Sequence, residues 1–302
     1  MEKIEKTRKL FKRIQYIGMA IIIIVGVLFI YLFGLKNADS QFSNTLTYIM
    51  FTIMVLFIFV AFVTAPMQNK LLKLIIIQSL DGLVTDLTFN KKKGYSKESF
   101  IRLNIAPDNF TNYGCADYYS FMYNDMLIES TTARAFDEIK VPKKLKNGKV
   151  SKKLVKSSVN YFHGRIYIIP FESDVKFSVY GRKNPSVSRK NEMANTEYNL
   201  EMPLKVKKQQ EHFEVFYKND NKPNPAYIQS FVDKLLNLRL QAKGPVSVFV
   251  RKNTMVLLID NGRFYKEVEI KNPIDERLVR DYRKDVSMVL SFINALKKEN
   301  NK

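Results

Sequence analysis

One cysteine, no tryptophan and two histidines among 302 residues narrow the chemistry before any pattern is sought. A lone thiol, Cys115, cannot cross-link the chain to itself, which suits a reducing compartment. With only His163 and His212 beside it, there is no local metal-ligand spacing. A thiol–imidazole pair would need folding to bring distant residues together, and Cys115 next to Ala116 reads more simply as a small core residue. No glycine-rich phosphate loop, serine elbow or kinase signature occurs, so neither a catalytic residue nor a cofactor is assigned. Acids are scarce too: 29 Asp and Glu stand against 49 Lys and Arg, a formal net charge of +20. Such an excess favours polyanionic partners, either nucleic acid or the anionic face of a membrane, and says nothing about fold.

Long apolar runs, by contrast, are present twice. YIGMAIIIIVGVLFIYLFG (Tyr16 to Gly34) and LTYIMFTIMVLFIFVAFVTA (Leu46 to Ala65) contain no ionisable side chain except tyrosine. About 20 residues at ~1.5 Å per residue cover the ~30 Å hydrocarbon core of a bilayer, so both read as transmembrane helices. The first is too long for a signal peptide, and Gly34-Leu35-Lys36-Asn37 is no small-x-small cleavage site, which makes it an uncleaved anchor. Lys3, Lys6, Arg8, Lys9, Lys12 and Arg13 precede the first run, and Lys70 and Lys73 follow the second. Basic flanks stay inside, so both termini are expected in the cytoplasm of a multi-pass protein of the inner cell membrane.

The expected organisation is therefore a basic cytoplasmic N-terminus (1–15), a first span (16–35), a short external loop (36–45), a second span (46–65), a juxtamembrane helix (66–89) and a cytoplasmic domain (90–302). Helical periodicity resumes directly after Pro66, with Leu71, Leu72, Ile75, Ile76 and Leu83 able to share a face. Within the domain, Ser96 to Ser99 can cap the short apolar stretch that follows. DYYSFMY (Asp117 to Tyr123), the turn Asn124-Asp125 and MLIES predict a hairpin. Strands are expected at Val159 to Pro170, broken near His163-Gly164, at Val175 to Tyr180 and at His212 to Lys218. Asn224-Pro225 opens a helix that Gly244-Pro245 ends. VSVFV, TMVLLI and RFYKEVEI predict a three-stranded meander with Asn261-Gly262 at its second turn, before a last amphipathic helix. The fold class is thus a two-helix transmembrane hairpin followed by an α+β domain with mainly antiparallel strands.

These blocks, in this order, resemble a bacterial family, the domain of unknown function 3137 family. The resemblance covers nearly the whole chain and rests on YGCADYYSFMYNDMLIESTTAR (Tyr113 to Arg134), NYFHGRIYIIPF (Asn160 to Phe171) and EHFEVFYKNDNKPNPAYIQSFVDKLLNL (Glu211 to Leu238). Cys115 stands where the family pattern has Gly or Ser, and Pro-Asn-Pro replaces an Ala-rich turn at the helix entry. The resemblance implies an integral membrane protein and carries over no catalytic residues.

The densest unusual feature is KVPKKLKNGKVSKKLVK (Lys140 to Lys156), eight lysines without an acid. Near anionic lipid each lysine contributes about 1 kcal/mol, which makes Lys143, Lys144, Lys146, Lys149, Lys152, Lys153 and Lys156 candidate contacts to lipid headgroups. The plainer reading is a solvated connection between strands. Arg182, Lys183, Arg189 and Lys190 form a second basic segment with the same two readings. Tyr118, Tyr119, Phe121 and Tyr123 near basic residues suggest base stacking, but aromatic strands more often build core, and nucleic acid is the weaker partner. Glu129, Asp137 and Glu138 could form a carboxylate pair, although acids after a strand ordinarily face solvent. The sequon at Asn109 has no role if the domain is cytoplasmic. An interaction or scaffold module, engaging anionic lipid or a protein partner, is the leading expectation. A membrane-tethered hydrolase with a site assembled from distant residues, or a nucleic-acid tether, is the alternative.

Overall fold

A computed structural model describes residues 2–34, 42–90, 93–144, 150–184, 186, 188–193, 196–219, 222–262 and 271–300. In chain order the elements are α1 (Glu2–Gly34), α2 (Phe42–Leu80), β1 (Thr85–Phe89), α3 (Lys97–Ile101), β2 (Asn112–Tyr123), β3 (Met126–Lys144), β4 (Val150–Pro170) and β5 (Phe177–Gly181). Then follow α4 (Lys190–Met193), β6 (Leu200–Met202), α5 (Lys207–Gln210), β7 (Phe213–Tyr217), α6 (Pro225–Ala242), β8 (Val246–Val250), β9 (Thr254–Ile259) and α7 (Glu276–Asn300). The chain divides into two compact units, Met1–Asp81 with Tyr265–Arg283, and Gly82–Phe264 with Lys284–Lys302.

In the first unit α1 packs on α2. Ile4, Arg8 and Phe11 recur at helical spacing as the buried face near the start of α1, and Leu71, Ile75, Ile76 and Leu80 do so near the end of α2. Arg8 is buried because its guanidinium pairs with Glu5 one turn earlier and also donates to the Lys271 carbonyl. Arg283 donates to the carbonyls of Ser79 (3.3 Å) and Asp81 (2.9 Å), supplying partners to carbonyls that a helix end leaves open. Farther along α1 the pattern changes: Ile17, Ile21, Ile23, Ile24, Val25, Val27 and Leu28 are all more than half exposed. A helix apolar on every side has no water-facing stripe. Among the described residues, Glu2–Leu28 is the helix long and apolar enough to cross a membrane.

Two expectations for this region are corrected. Pro66 lies inside α2, so the segment read as a separate juxtamembrane helix is the continuation of one helix from Phe42 to Leu80. One lost backbone hydrogen bond at Pro66 is offset by the buried face that begins at Leu71. The helix also stops at Leu80 and not near residue 89. Gly82 takes φ +67°, a value that favours glycine, and Thr85–Phe89 forms β1 instead. The external loop falls largely outside the described residues.

The second unit is one antiparallel sheet of nine strands in the order β1-β2-β3-β4-β9-β8-β5-β7-β6. Asn124 and Asp125 both have positive φ (46° and 61°), the backbone that a two-residue hairpin turn requires, and they join β2 to β3 as the sequence predicts. Strand alternation gives the sheet two apolar faces. Phe162, Ile166, Tyr180, Phe216, Phe249 and Leu258 on one face pack with Phe100, Leu103 and Phe110 from the segment that Ser96 opens by capping the Ser99 N–H. On the other, the Phe177 ring meets Phe231 of α6 edge-on at 5.1 Å, and Phe231 meets Phe292 of α7 at 5.9 Å. Asn224 caps α6 through Oδ1 to the Ala226 N–H, with Pro225 in its first turn, and Lys243 in the left-handed region closes it. RFYKEVEI, read as the third strand of the meander, lies outside the described residues; β8 and β9 pair as expected.

A third correction concerns β4, which runs unbroken through His163-Gly164. Glycine there marks a close approach of backbones, since a Cβ at Gly164 would lie 1.8 Å from the Ile259 carbonyl oxygen.

Candidate functional site

The described parts of the lysine-rich stretch, 140–144 and 150–156, are strands of a β-ribbon. Pairing of β3 with β2 ends at Asn112↔Phe136, and pairing of β4 with β9 begins only at Arg165↔Ile259. Above these limits, from Asp137↔Val159 through Lys140↔Lys156 and Pro142↔Leu154 to Lys144↔Val150, β3 and β4 pair with each other and, among the described residues, with no other strand. Val141, Val155 and Val159 supply the β-branched character a strand needs, which the surrounding lysines mask. Pro142 is tolerated because β3 has a free edge there, and the register shifts between Pro142 and Lys144.

Directly opposed residues share a face. Asp137, Ile139 and Val141 with Val159, Ser157 and Val155 make one; Glu138, Lys140 and Pro142 with Ser158, Lys156 and Leu154 make the other. Ile139, Leu154 and Val159 are exposed, Leu154 most of all at 55 %. Of the candidate lysines, Lys156 donates to Glu138 at 3.1 Å with both side chains in solvent. Lys143 and Lys144 end β3, and Lys152 and Lys153 lie on β4. Lys146 and Lys149 fall outside the described residues.

The second basic segment has a different fate. Arg182 pairs with Glu214 at 2.9 Å, Lys183 with Asp260 at 2.6 Å, Arg189 with Glu192 at 3.2 Å and Lys190 with Glu201 at 3.8 Å. Arg189 also donates to the carbonyls of Asn104 and Ile105, and Glu214, almost wholly buried, accepts from Ser188 and from the Arg189 N–H. Arg182, Lys183 and Arg189 line a cleft of about 270 Å³ with Asn160, Tyr161 and Ser247. Its charges are matched internally, so the cleft is a strut that ties the turn after β5 to β7 and β9.

The pairings weighed for catalysis are not assembled. Cys115 registers on Ala133, which registers on Gly164; His163 registers on Arg134. The thiol and the imidazole therefore sit on opposite faces and two strands, roughly 10 Å, apart. Cys115 instead donates to the Tyr95 carbonyl at 3.1 Å, and burial pushes its thiol above the ordinary range. Glu129 binds Lys93 and the Tyr118 hydroxyl, Asp137 accepts from Thr111 and Tyr161, and Glu138 takes Lys156, so the three acids have separate partners. Among the described residues no group of three His, Cys, Asp or Glu could hold a metal ion. Tyr118, Tyr119 and Phe121 are buried, which removes them as a stacking platform.

Both histidines are held below the usual imidazole pKa, by burial first and then by a nearby cation, Arg134 for His163 and Arg239 for His212. The unfolded chain therefore takes up these protons first as pH falls through about 6.5. Their contribution is intact above that value and is lost progressively below it. Denaturant titrations of the detergent-solubilised protein should show stability falling as the pH drops below about 6.5, and the H163Q/H212Q double variant should flatten that slope. An unchanged slope would mean that neither ring is sheltered.

The partners of the second basic segment that sequence reading missed are Glu214 and Asp260, which lie far away along the chain. No protein-family model, no curated protein and no solved structure matches the chain.

Proposed function

We propose that this chain is a membrane-anchored interaction module of the domain of unknown function 3137 type. Two spans, in α1 and in the first part of α2, hold the sheet unit at the cytoplasmic face, where it engages anionic lipid or a protein partner. The exposure of Ile17, Ile21, Ile23, Ile24, Val25, Val27 and Leu28 on α1 carries this reading, because apolar side chains spread round a helix need covering and lipid covers them. The orientation follows from the cations before the first apolar run and after the second. The run from Leu46 to Ala65 has the length and composition of a second span.

The test is topological. Reporters fused after Asn300 should be active only in the cytoplasm, and one inserted at Ser40 only outside. A C-terminus outside with Ser40 inside would overturn the orientation, and recovery of the whole chain in the aqueous fraction without detergent would overturn the anchor itself.

A further inference from the structure

The ribbon carries a feature that internal stability does not explain. Lys140 and Lys156 stand directly opposite each other, the cross-strand position at which like charges repel. Glu138 answers Lys156, but Lys140 is exposed and has no acid within ion-pairing distance among the described residues. The next pair on that face is Pro142 and Leu154, with Leu154 in solvent. Two opposed cations followed by two apolar side chains are thus held on one face of a ribbon that, among the described residues, no other strand flanks. The second basic segment, by contrast, spends every cation on an acid.

We propose that this face docks on an anionic bilayer surface: Lys140 and Lys156 take lipid phosphates while Leu154 and Pro142 enter the interfacial layer. The inference rests on the membrane-anchored reading above and narrows it to one element and one partner. Charge complementarity selects the partner, since the sequence from Lys140 to Lys156 adds six further lysines and no acid. A chain whose own helix is fit to cross a bilayer meets that surface at high effective concentration. A lysine alone gives a screened, long-range attraction; a lysine pair beside an exposed leucine also gives a contact that salt weakens without abolishing.

The full chain should be reconstituted in vesicles of phosphatidylcholine, with or without about one third phosphatidylglycerol. L154C, in a C115S background, carries a polarity-sensitive fluorophore. A blue shift with a several-fold rise in emission is expected in the anionic vesicles and not in the neutral ones. K140E/K156E should abolish it, because each lysine near such a surface is worth roughly fivefold in partitioning. In the unlabelled wild-type chain, trypsin should cut between Lys140 and Lys156 readily in neutral vesicles and several-fold more slowly in anionic ones, a readout that does not depend on the variants folding. Equal emission and equal cleavage in both vesicle types would overturn the proposal. So would a signal that follows the protein-to-lipid ratio, which indicates a second copy, or one produced in neutral vesicles by added DNA. Alkaline extraction of the same vesicles separates the two failures: a chain that stays embedded with an unresponsive ribbon sinks only this inference, whereas a chain that washes off sinks the anchor.

Discussion

Replacing Gly164 with alanine should leave the sheet unit unable to complete its fold. The added Cβ would lie 1.8 Å from the Ile259 carbonyl oxygen and 2.8 Å from its carbon. No rotamer relieves such a contact, because the offending atom is attached to the backbone and meets backbone. Separation of β4 from β9 is the relief available, and among the described residues that pairing is the sole ladder joining β1–β4 to β9, β8, β5, β7 and β6. The expected loss exceeds about 3 kcal/mol, the upper end for overpacking, against a total stability of about 5–15 kcal/mol for a typical domain. Gly114 is the control: it lies on β2, has ordinary φ, and a Cβ there meets nothing within 4 Å. G114A should therefore melt within about 1 kcal/mol of the parent. Unfolding in detergent, followed by intrinsic tyrosine fluorescence, measures both variants. A G164A protein as stable as the parent would show that β4 and β9 do not approach in this register.

The second large effect is expected at Arg165. Its side chain is buried on the α6–α7 face of β4, donates to Ser130 at 3.2 Å and lies over the Tyr119 ring at 5.1 Å. Asp285 of α7 is equally buried, and its charge and that of Arg165 act in opposite senses on Tyr119 and Tyr167, whose hydroxyls burial already pushes up. Removing the guanidinium leaves the Ser130 hydroxyl without its donor, the Tyr119 ring without its cation and the buried Asp285 with one opposite charge fewer nearby, a loss of roughly 3 kcal/mol. R165A should lose about that much. The R165A/D285N double variant should recover part of it, giving a coupling that a double-mutant cycle resolves. Additive losses would mean that the two groups are independent.

Where local chemistry dictates backbone, the sequence was readable: Asn124-Asp125 at the hairpin, Ser96 before α3, Asn224-Pro225 before α6, and the antiparallel β8–β9 pair. Where the determinant is remote, it was not. The lysines from 140 to 156 hide the alternation of Val141, Val155 and Val159, so a ribbon looks like a loop. Gly164 reads as a strand break from its residue type alone, and only the presence of Ile259 turns it into a crossing point. The basic segment after β5 looks like a free polycation until Glu214 and Asp260 come back to it from 25 or more residues away. Pro66 reads as a boundary from its residue type although α2 runs through it, and at β1 the apolar periodicity continues past the true end of the helix at Leu80.

The order of the strands also sets a timetable for the nascent chain. On emerging from the ribosome, β1 to β4 can pair as successive neighbours, yet the far edge of β4 stays open until translation has reached Thr254, when β9 arrives to cover Arg165–Pro170. Through that interval an unsatisfied apolar edge is on offer to any other polypeptide nearby. Early termination before Thr254 would therefore yield a sticky fragment for proteases and chaperones to clear, and not a smaller working protein.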